Sequence, residues 1–120
     1  MKKILIIDDE PDILKIVIFR IKNLGYEIIT GTDGQQAVDL AKFHIPDLIL
    51  LDFRLPKMNG MEACIKIREI EELKNTPVIL FTASIENPEE KIKKCKANDF
   101  LSKPFEPEIL INKIESFLKN

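Results

Sequence analysis

The chain has 120 residues, a formal net charge of −2 and 45% hydrophobic residues. That length suits one domain, residues 1–120, with enough apolar material for a core that needs no disulfide or structural metal. The mixed charges exclude a strongly basic nucleic-acid binder, and no apolar run is long enough for a signal peptide or a membrane span.

Taken in chain order, short apolar β-rich runs alternate with longer stretches of helical spacing. The first run is Ile4 to Ile7. A helical stretch follows from Pro11, with Ile13, Leu14, Val17, Ile18, Ile21 and Leu24 in period, and ends at Gly25. The second run is Glu27 to Thr30, and the stretch after it carries Ala37, Val38, Leu40 and Ala41. The third run, Leu48 to Leu51, is apolar on both alternating faces. Its helical successor holds Ala63, Cys64, Ile67 and Ile70. The fourth run, Val78 to Phe81, is again apolar on both faces, and a short charged helix with Ile92 and Cys95 comes next. A weaker run, Asp99 to Ser102, precedes the last helical stretch with Ile109, Leu110, Ile114, Phe117 and Leu118.

Pro11, Pro88 and Pro107 suit the first helical turn, where a missing N–H costs nothing. Asp33 with Gln36, and Asn87 with Glu90, have the spacing of capping boxes. Five strands alternating with five helices predict an α/β fold with a parallel sheet covered on both faces. Cys64 and Cys95 lack metal-ligand spacing and are expected to be buried, reduced thiols. With no export signal, this points to the cytoplasm.

In a sheet of this kind ligands bind beyond the carboxyl ends of the strands. Those positions hold Asp8, Asp9 and Glu10 after the first run, Asp52 after the third, Thr82 after the fourth and Lys103 after the fifth. Singly, each has an ordinary reading. The acids could favour a helix start through the macrodipole, Asp52 could cap a loop, Thr82 could be a β-branched strand end, and Lys103 could be a solvated lysine. Jointly they bring several carboxylates, a hydroxyl and an ammonium to one sheet edge. Converging carboxylates repel, and a hard cation such as Mg²⁺ relieves the repulsion while keeping sites for phosphate oxygens. A carboxylate on the middle strand can then attack phosphorus, with Mg²⁺ and Lys103 offsetting the charge.

The segments Ile4-Leu5-Ile6-Ile7-Asp8-Asp9-Glu10, Pro46 to Asp52, Leu55-Pro56-Lys57-Met58-Asn59-Gly60, Pro77 to Ala83, and Leu101-Ser102-Lys103-Pro104-Phe105 together resemble the response-regulator receiver family over nearly the whole chain. The resemblance implies the flavodoxin-like receiver fold with strand order 2-1-3-4-5. It implies Asp52 as phosphoacceptor for a sensor histidine kinase or histidine phosphotransfer protein. It further implies Mg²⁺ bound directly by Asp9, through water by Asp8, and by the backbone carbonyl of Arg54 and by Asp52. Lys103 would pair with the phosphate behind a cis bond to Pro104. Thr82 and Phe100 would form the switch, read by a protein target on the face of the fourth helix, fifth strand and fifth helix. The family's activity is phosphoacceptance in signalling, limited to its own phosphorylation and dephosphorylation, with no nucleic-acid or membrane contact of its own.

Phe100 stands where a tyrosine is common, so the packing part of the switch survives without a hydroxyl. Lys96 stands where glycine is common, so the turn into the last strand is expected to differ. Arg54 and Ser84 occupy variable positions that tune phosphoryl lifetime, and the long Arg54 cation is expected to lengthen it.

Three rivals are weaker. An aspartate-nucleophile phosphohydrolase usually has a second acid where Arg54 stands. A flavin binder needs a phosphate loop where Asp8-Asp9-Glu10 would repel the phosphate. A phosphorylation-independent docking module has no need for the intact acid, threonine and lysine set. A chain stopping just after its last amphipathic stretch is expected both of a free-standing regulator and of a receiver within a longer protein.

Overall fold

The computed structural model describes residues 1–83 and 87–119, apart from the side chain of Ile13. Its elements, in order, are β1 (Lys3–Ile7), α1 (Pro11–Lys22), β2 (Glu27–Gly31), α2 (Gly34–His44), β3 (Leu48–Asp52), α3 (Gly60–Arg68), a 3₁₀ turn (Glu71–Leu73), β4 (Val78–Thr82), α4 (Pro88–Cys95), β5 (Asp99–Ser102) and α5 (Pro107–Leu118). All strand pairs are parallel, in the order β2-β1-β3-β4-β5. The expected α/β architecture and strand order are therefore present.

Strand alternation sorts the core into two layers. Ile4, Ile6, Leu48, Leu50, Ile79 and Phe81 pack with Val17 and Ile21 of α1 and Leu110 and Ile114 of α5. Leu5, Ile7, Ile49, Leu51, Val78 and Leu80 face the other way, against α2, α3 and the end of α4. Every residue of β3 and β4 is buried, which is why both read as unbroken apolar runs. No helix among the described residues is long and apolar enough to cross a membrane.

Helix termini follow the sequence in part. Pro11, Pro88 and Pro107 do open their helices. Asp33 accepts the Gln36 amide at 2.8 Å, but the Gln36 side chain turns to the Thr32 amide, so only half a capping box forms. Asn87 departs from expectation. It sits in the left-handed region at φ 53° and makes no side-chain cap, because that backbone turn carries its amide group away from the N3 amide. The complete capping box is at Asn59 and Glu62, at the start of α3. Lys96 takes the left-handed C-cap of α4 at φ 63°, a position where glycine is at no cost. Leu24 and Ile109, which are in period, are nevertheless 42% and 46% exposed, so both lie off the buried stripe.

Candidate functional site

The register explains how the site assembles. Ile7 pairs with Leu51, so Asp8 and Asp52 lie level on neighbouring strands. Both share the parity of Ile6 and Leu50 and so point toward the α1–α5 layer. Thr82 pairs with Ser102, so Lys103 leaves β5 one residue later, with the parity of Leu101 and on the same face. Thr82 and Phe100 have the opposite parity. They face the α4 side, where Phe100 packs against the second core layer with Leu80 and Cys95.

Distances bear this out. The Lys103 Nζ donates to Asp8 Oδ2 at 2.8 Å, Glu10 Oε1 at 2.8 Å and Asp52 Oδ2 at 3.0 Å. Asp8, Asp52, Thr82 and the Lys103 side chain are all buried, whereas Glu10 is mostly exposed. Asp8 also accepts the Glu10 amide at 2.9 Å, and Asp52 the Arg54 amide at 3.3 Å. The Lys103–Pro104 bond is cis. Carboxylate oxygens of Asp8, Glu10 and Asp52 lie within 4.8 Å of one another.

Asp52 is held in place by the segment after it. Gly60 opens α3 against the back of β3, and its amide donates to the Phe53 carbonyl at 2.8 Å. A Cβ at position 60 would meet the Asp52 carbonyl oxygen at 2.2 Å, so only glycine allows this approach. The Asn59 capping box then fixes where α3 begins. Leu55 to Gly60 is thus a structural bracket for the acid as much as a sequence signature.

The electrostatics are unbalanced. Burial chiefly, with the nearby Asp8 charge, outweighs Lys103 and pushes the Asp52 carboxyl up to about 6. Burial disfavours the Lys103 ammonium, yet its hydrogen bonds to Asp8, Glu10 and Asp52 prevail, and it is held above the ordinary lysine value. One ammonium shared among three acids stays charged without neutralising them. A further positive charge fits this pocket, and its hard oxygen donors suit a small divalent cation.

Of the residues expected at the site, Asp8, Asp52 and Lys103 come together in direct contact. Arg54, expected to offer its carbonyl, donates its backbone amide to Asp52, and its side chain is exposed. Thr82 is buried at the adjacent strand end. Asp9 is exposed and outside the close acid group. Glu10, read only as part of an acidic helix start, occupies the pocket instead. Its signal was its place three residues past the end of β1, where the chain turns back over the sheet edge. Ser84 lies outside the described residues.

Residues 4–115 match the family model of the response regulator receiver domain. The chain belongs to this family. Receivers are signalling domains, and the acid pocket of this one is compatible with Mg²⁺ and with an aspartyl phosphate. The receiver is 36% identical over 118 residues to the polar-differentiation response regulator DivK of Brucella ovis, covering 98% of this chain and 96% of DivK. It is 34% identical over 119 residues to the alkaline phosphatase synthesis transcriptional regulatory protein PhoP of Bacillus subtilis, covering 98% of this chain and 49% of PhoP. It therefore spans nearly all of DivK and about half of PhoP. Among solved structures, the chemotaxis protein CheY4 of Vibrio cholerae superposes with a TM-score of 0.92 at 31% identity, covering 98% of this chain and 99% of CheY4. The receiver domain of the sensor histidine kinase PA1611 from Pseudomonas aeruginosa, solved with magnesium in its active-site cleft, superposes at 0.90 with 31% identity, covering 99% and 98% of the two chains.

Proposed function

We propose that residues 1–120 act as one receiver unit that takes a phosphoryl group onto Asp52 in a Mg²⁺-dependent reaction and thereby switches a protein-binding surface. The observation that carries this reading is the Lys103 ammonium spanning Asp8, Glu10 and Asp52 at 2.8–3.0 Å beneath the sheet edge. Asp8, Asp9, Asp52 and the Arg54 carbonyl would hold the ion. When bound, Mg²⁺ supplies positive charge that offsets the acids and the incoming phosphoryl oxygens.

The chain's own residues do the rest. An ionised Asp52 oxygen forms the bond to phosphorus as the donor's bond breaks in line. Lys103, already charged and buried beside Asp52, turns from the acids to the new phosphoryl oxygens. Phosphorylation adds close to two negative charges and strong acceptors, and Thr82, one strand across, meets them by moving its hydroxyl. Phe100 has the same parity as Thr82 and is only half-buried, so it can follow inward. The change reaches the α4–β5–α5 face, where a shallow hollow includes Phe100, Phe105 and Ile109 and would receive the downstream protein.

The donor would be a cytoplasmic sensor histidine kinase or histidine phosphotransfer protein. Ile16 and Phe19 of α1 are exposed and apolar, and Ile16 borders an apolar cleft with Pro104, Pro107 and Lys103. A donor seated on this rim brings its phosphohistidine above Asp52.

Incubation with acetyl phosphate tests the reading. One phosphoryl group per chain is expected with Mg²⁺, none with a chelator and none in Asp52→Asn. Equal incorporation in that variant overturns it. Followed in time, the same assay reads Arg54: Arg54→Ala should shorten the phosphoryl lifetime, and an unchanged lifetime removes its shielding role.

A further inference from the structure

Cys64 and Cys95 take no part in the acid pocket, yet they are 31 residues apart in sequence and adjacent in space. Cys64 lies on α3 and Cys95 is the last residue of α4. The Cys64 Sγ donates to the Cys95 carbonyl at 3.2 Å, and the Cys95 Sγ to the Ile92 carbonyl at 3.7 Å. Both belong to the core layer under α3 and α4 and are at most 1% exposed. They differ in access. Cys95 borders an outer cleft of about 150 Å³ between the two helices, lined also by Ile65, Arg68, Glu69, Lys94 and Lys96, whereas Cys64 does not. That cleft, small and polar at its rim, suits a small neutral molecule such as a peroxide.

We propose that Cys95 is a peroxide-oxidisable thiol and Cys64 its resolving partner, so that oxidation closes a disulfide tying α3 to α4. The thiolate of Cys95 attacks one oxygen of hydrogen peroxide, the O–O bond breaks, and Cys95 becomes a sulfenic acid as hydroxide leaves and takes up a proton as water. The Cys64 sulfur then attacks the Cys95 sulfur, the S–O bond breaks, and the departing hydroxide leaves as water with the Cys64 proton. Two thiols and one peroxide yield a disulfide and two waters. The order follows from the pair. Proximity of the two thiols raises Cys64 and lowers Cys95, the Arg68 charge lowers both, and Cys95 is the one that borders the cleft, so Cys95 ionises first. Arg68 is fixed for this role by hydrogen bonds to the Lys96 carbonyl at 2.9 Å and Asn98 Oδ1 at 2.8 Å.

The target element is a loosely held one. α4 has eight residues, left-handed residues at both ends, and Cys95 as its one fully buried side chain. A cross-link at that point restrains the helix that, on the reading above, belongs to the switching face. The chemistry itself does not involve Asp52, so it is tested without any phosphodonor.

The reduced, folded chain is treated with hydrogen peroxide, quenched with an alkylating agent and digested without reductant. A Cys64–Cys95 linked peptide is expected within one chain, with dithiothreitol restoring both thiols. Amide exchange in α4 should slow roughly tenfold or more on oxidation and recover on reduction. In Cys64→Ser, dimedone should trap a sulfenic acid at Cys95; in Cys95→Ser, Cys64 should stay a thiol. Survival of both thiols in the parent chain overturns the proposal. So does a disulfide that forms only between chains, or equal oxidation of the two serine variants.

Discussion

At the scale of single residues, the decisive feature is the cost of keeping Asp52 ionised. Its carboxyl is raised from 3.8 to about 6, so the folded chain binds that proton more tightly than the unfolded one. Stability therefore falls as pH rises through that interval and stays reduced above it. Asp52→Asn removes the penalty and should be more stable than the parent by roughly 3 kcal/mol at pH 7, with the gain shrinking toward pH 4. Chemical denaturation at the two pH values checks this, and an equal gain at both would count against it. Glu10 poses the second residue-scale question, because it sits in the pocket while Asp9 does not. If Asp9 is the direct ligand, Asp9→Ala should weaken Mg²⁺ binding roughly tenfold or more, while Glu10→Ala should leave it unchanged or tighter. Calorimetric titration separates them, and the reverse ranking would make Glu10 the ligand. Sequence spacing alone brought Asp8, Asp52 and Lys103 to one edge. It did not resolve Asp9 from Glu10, since where a side chain points after the strand ends is set by the loop and not by alternation.

Among elements, α4 carries most of the departures from simple rules. The sequence offers Asn87 and Glu90 as its cap, but the backbone at Asn87 is left-handed and no cap bond forms. The spacing was present and the required dihedral was not, which a one-dimensional pattern does not encode. The opposite error concerns α3, whose true capping box, Asn59 with Glu62, is hidden inside a segment more conspicuous as a family signature. Lys96 was legible as a missing glycine, but the turn was expected to differ and its φ of 63° instead keeps the left-handed conformation a glycine would adopt, because the helix ends by the same αL cap. A left-handed lysine costs about 1–2 kcal/mol, and glycine's extra freedom in the unfolded chain returns about half of that. Lys96→Gly should therefore stabilise the chain by about 1 kcal/mol, provided the Arg68 bond to its carbonyl is kept. Thermal denaturation measures this, and a destabilised variant would mean the lysine side chain contributes more than its backbone costs.

For the molecule as a whole, periodicity sufficed for five strands, five helices and two covered faces, because central strands buried on both sides leave unbroken apolar runs. Strand order did not follow from periodicity and came only with the family resemblance, since nothing in an isolated run states its neighbour. The fold separates two surfaces: the α1 rim, where the donor would approach, and the α4–β5–α5 face, where the signal would leave. Phe19 is 66% exposed on the first. Phe19→Ser should slow phosphotransfer from a partner kinase roughly tenfold while leaving acetyl phosphate incorporation unchanged. Rates from the two donors measure this, and an equal fall in both would mean that Phe19 supports the site and not the donor. The most direct measurement of the central claim is to locate the phosphoryl group. Borohydride reduction of the phosphorylated chain converts an aspartyl phosphate to homoserine, which peptide mass mapping can find. The account predicts homoserine at position 52 alone, formed only after phosphorylation in the presence of Mg²⁺; homoserine at another acid with Asp52 intact would contradict it.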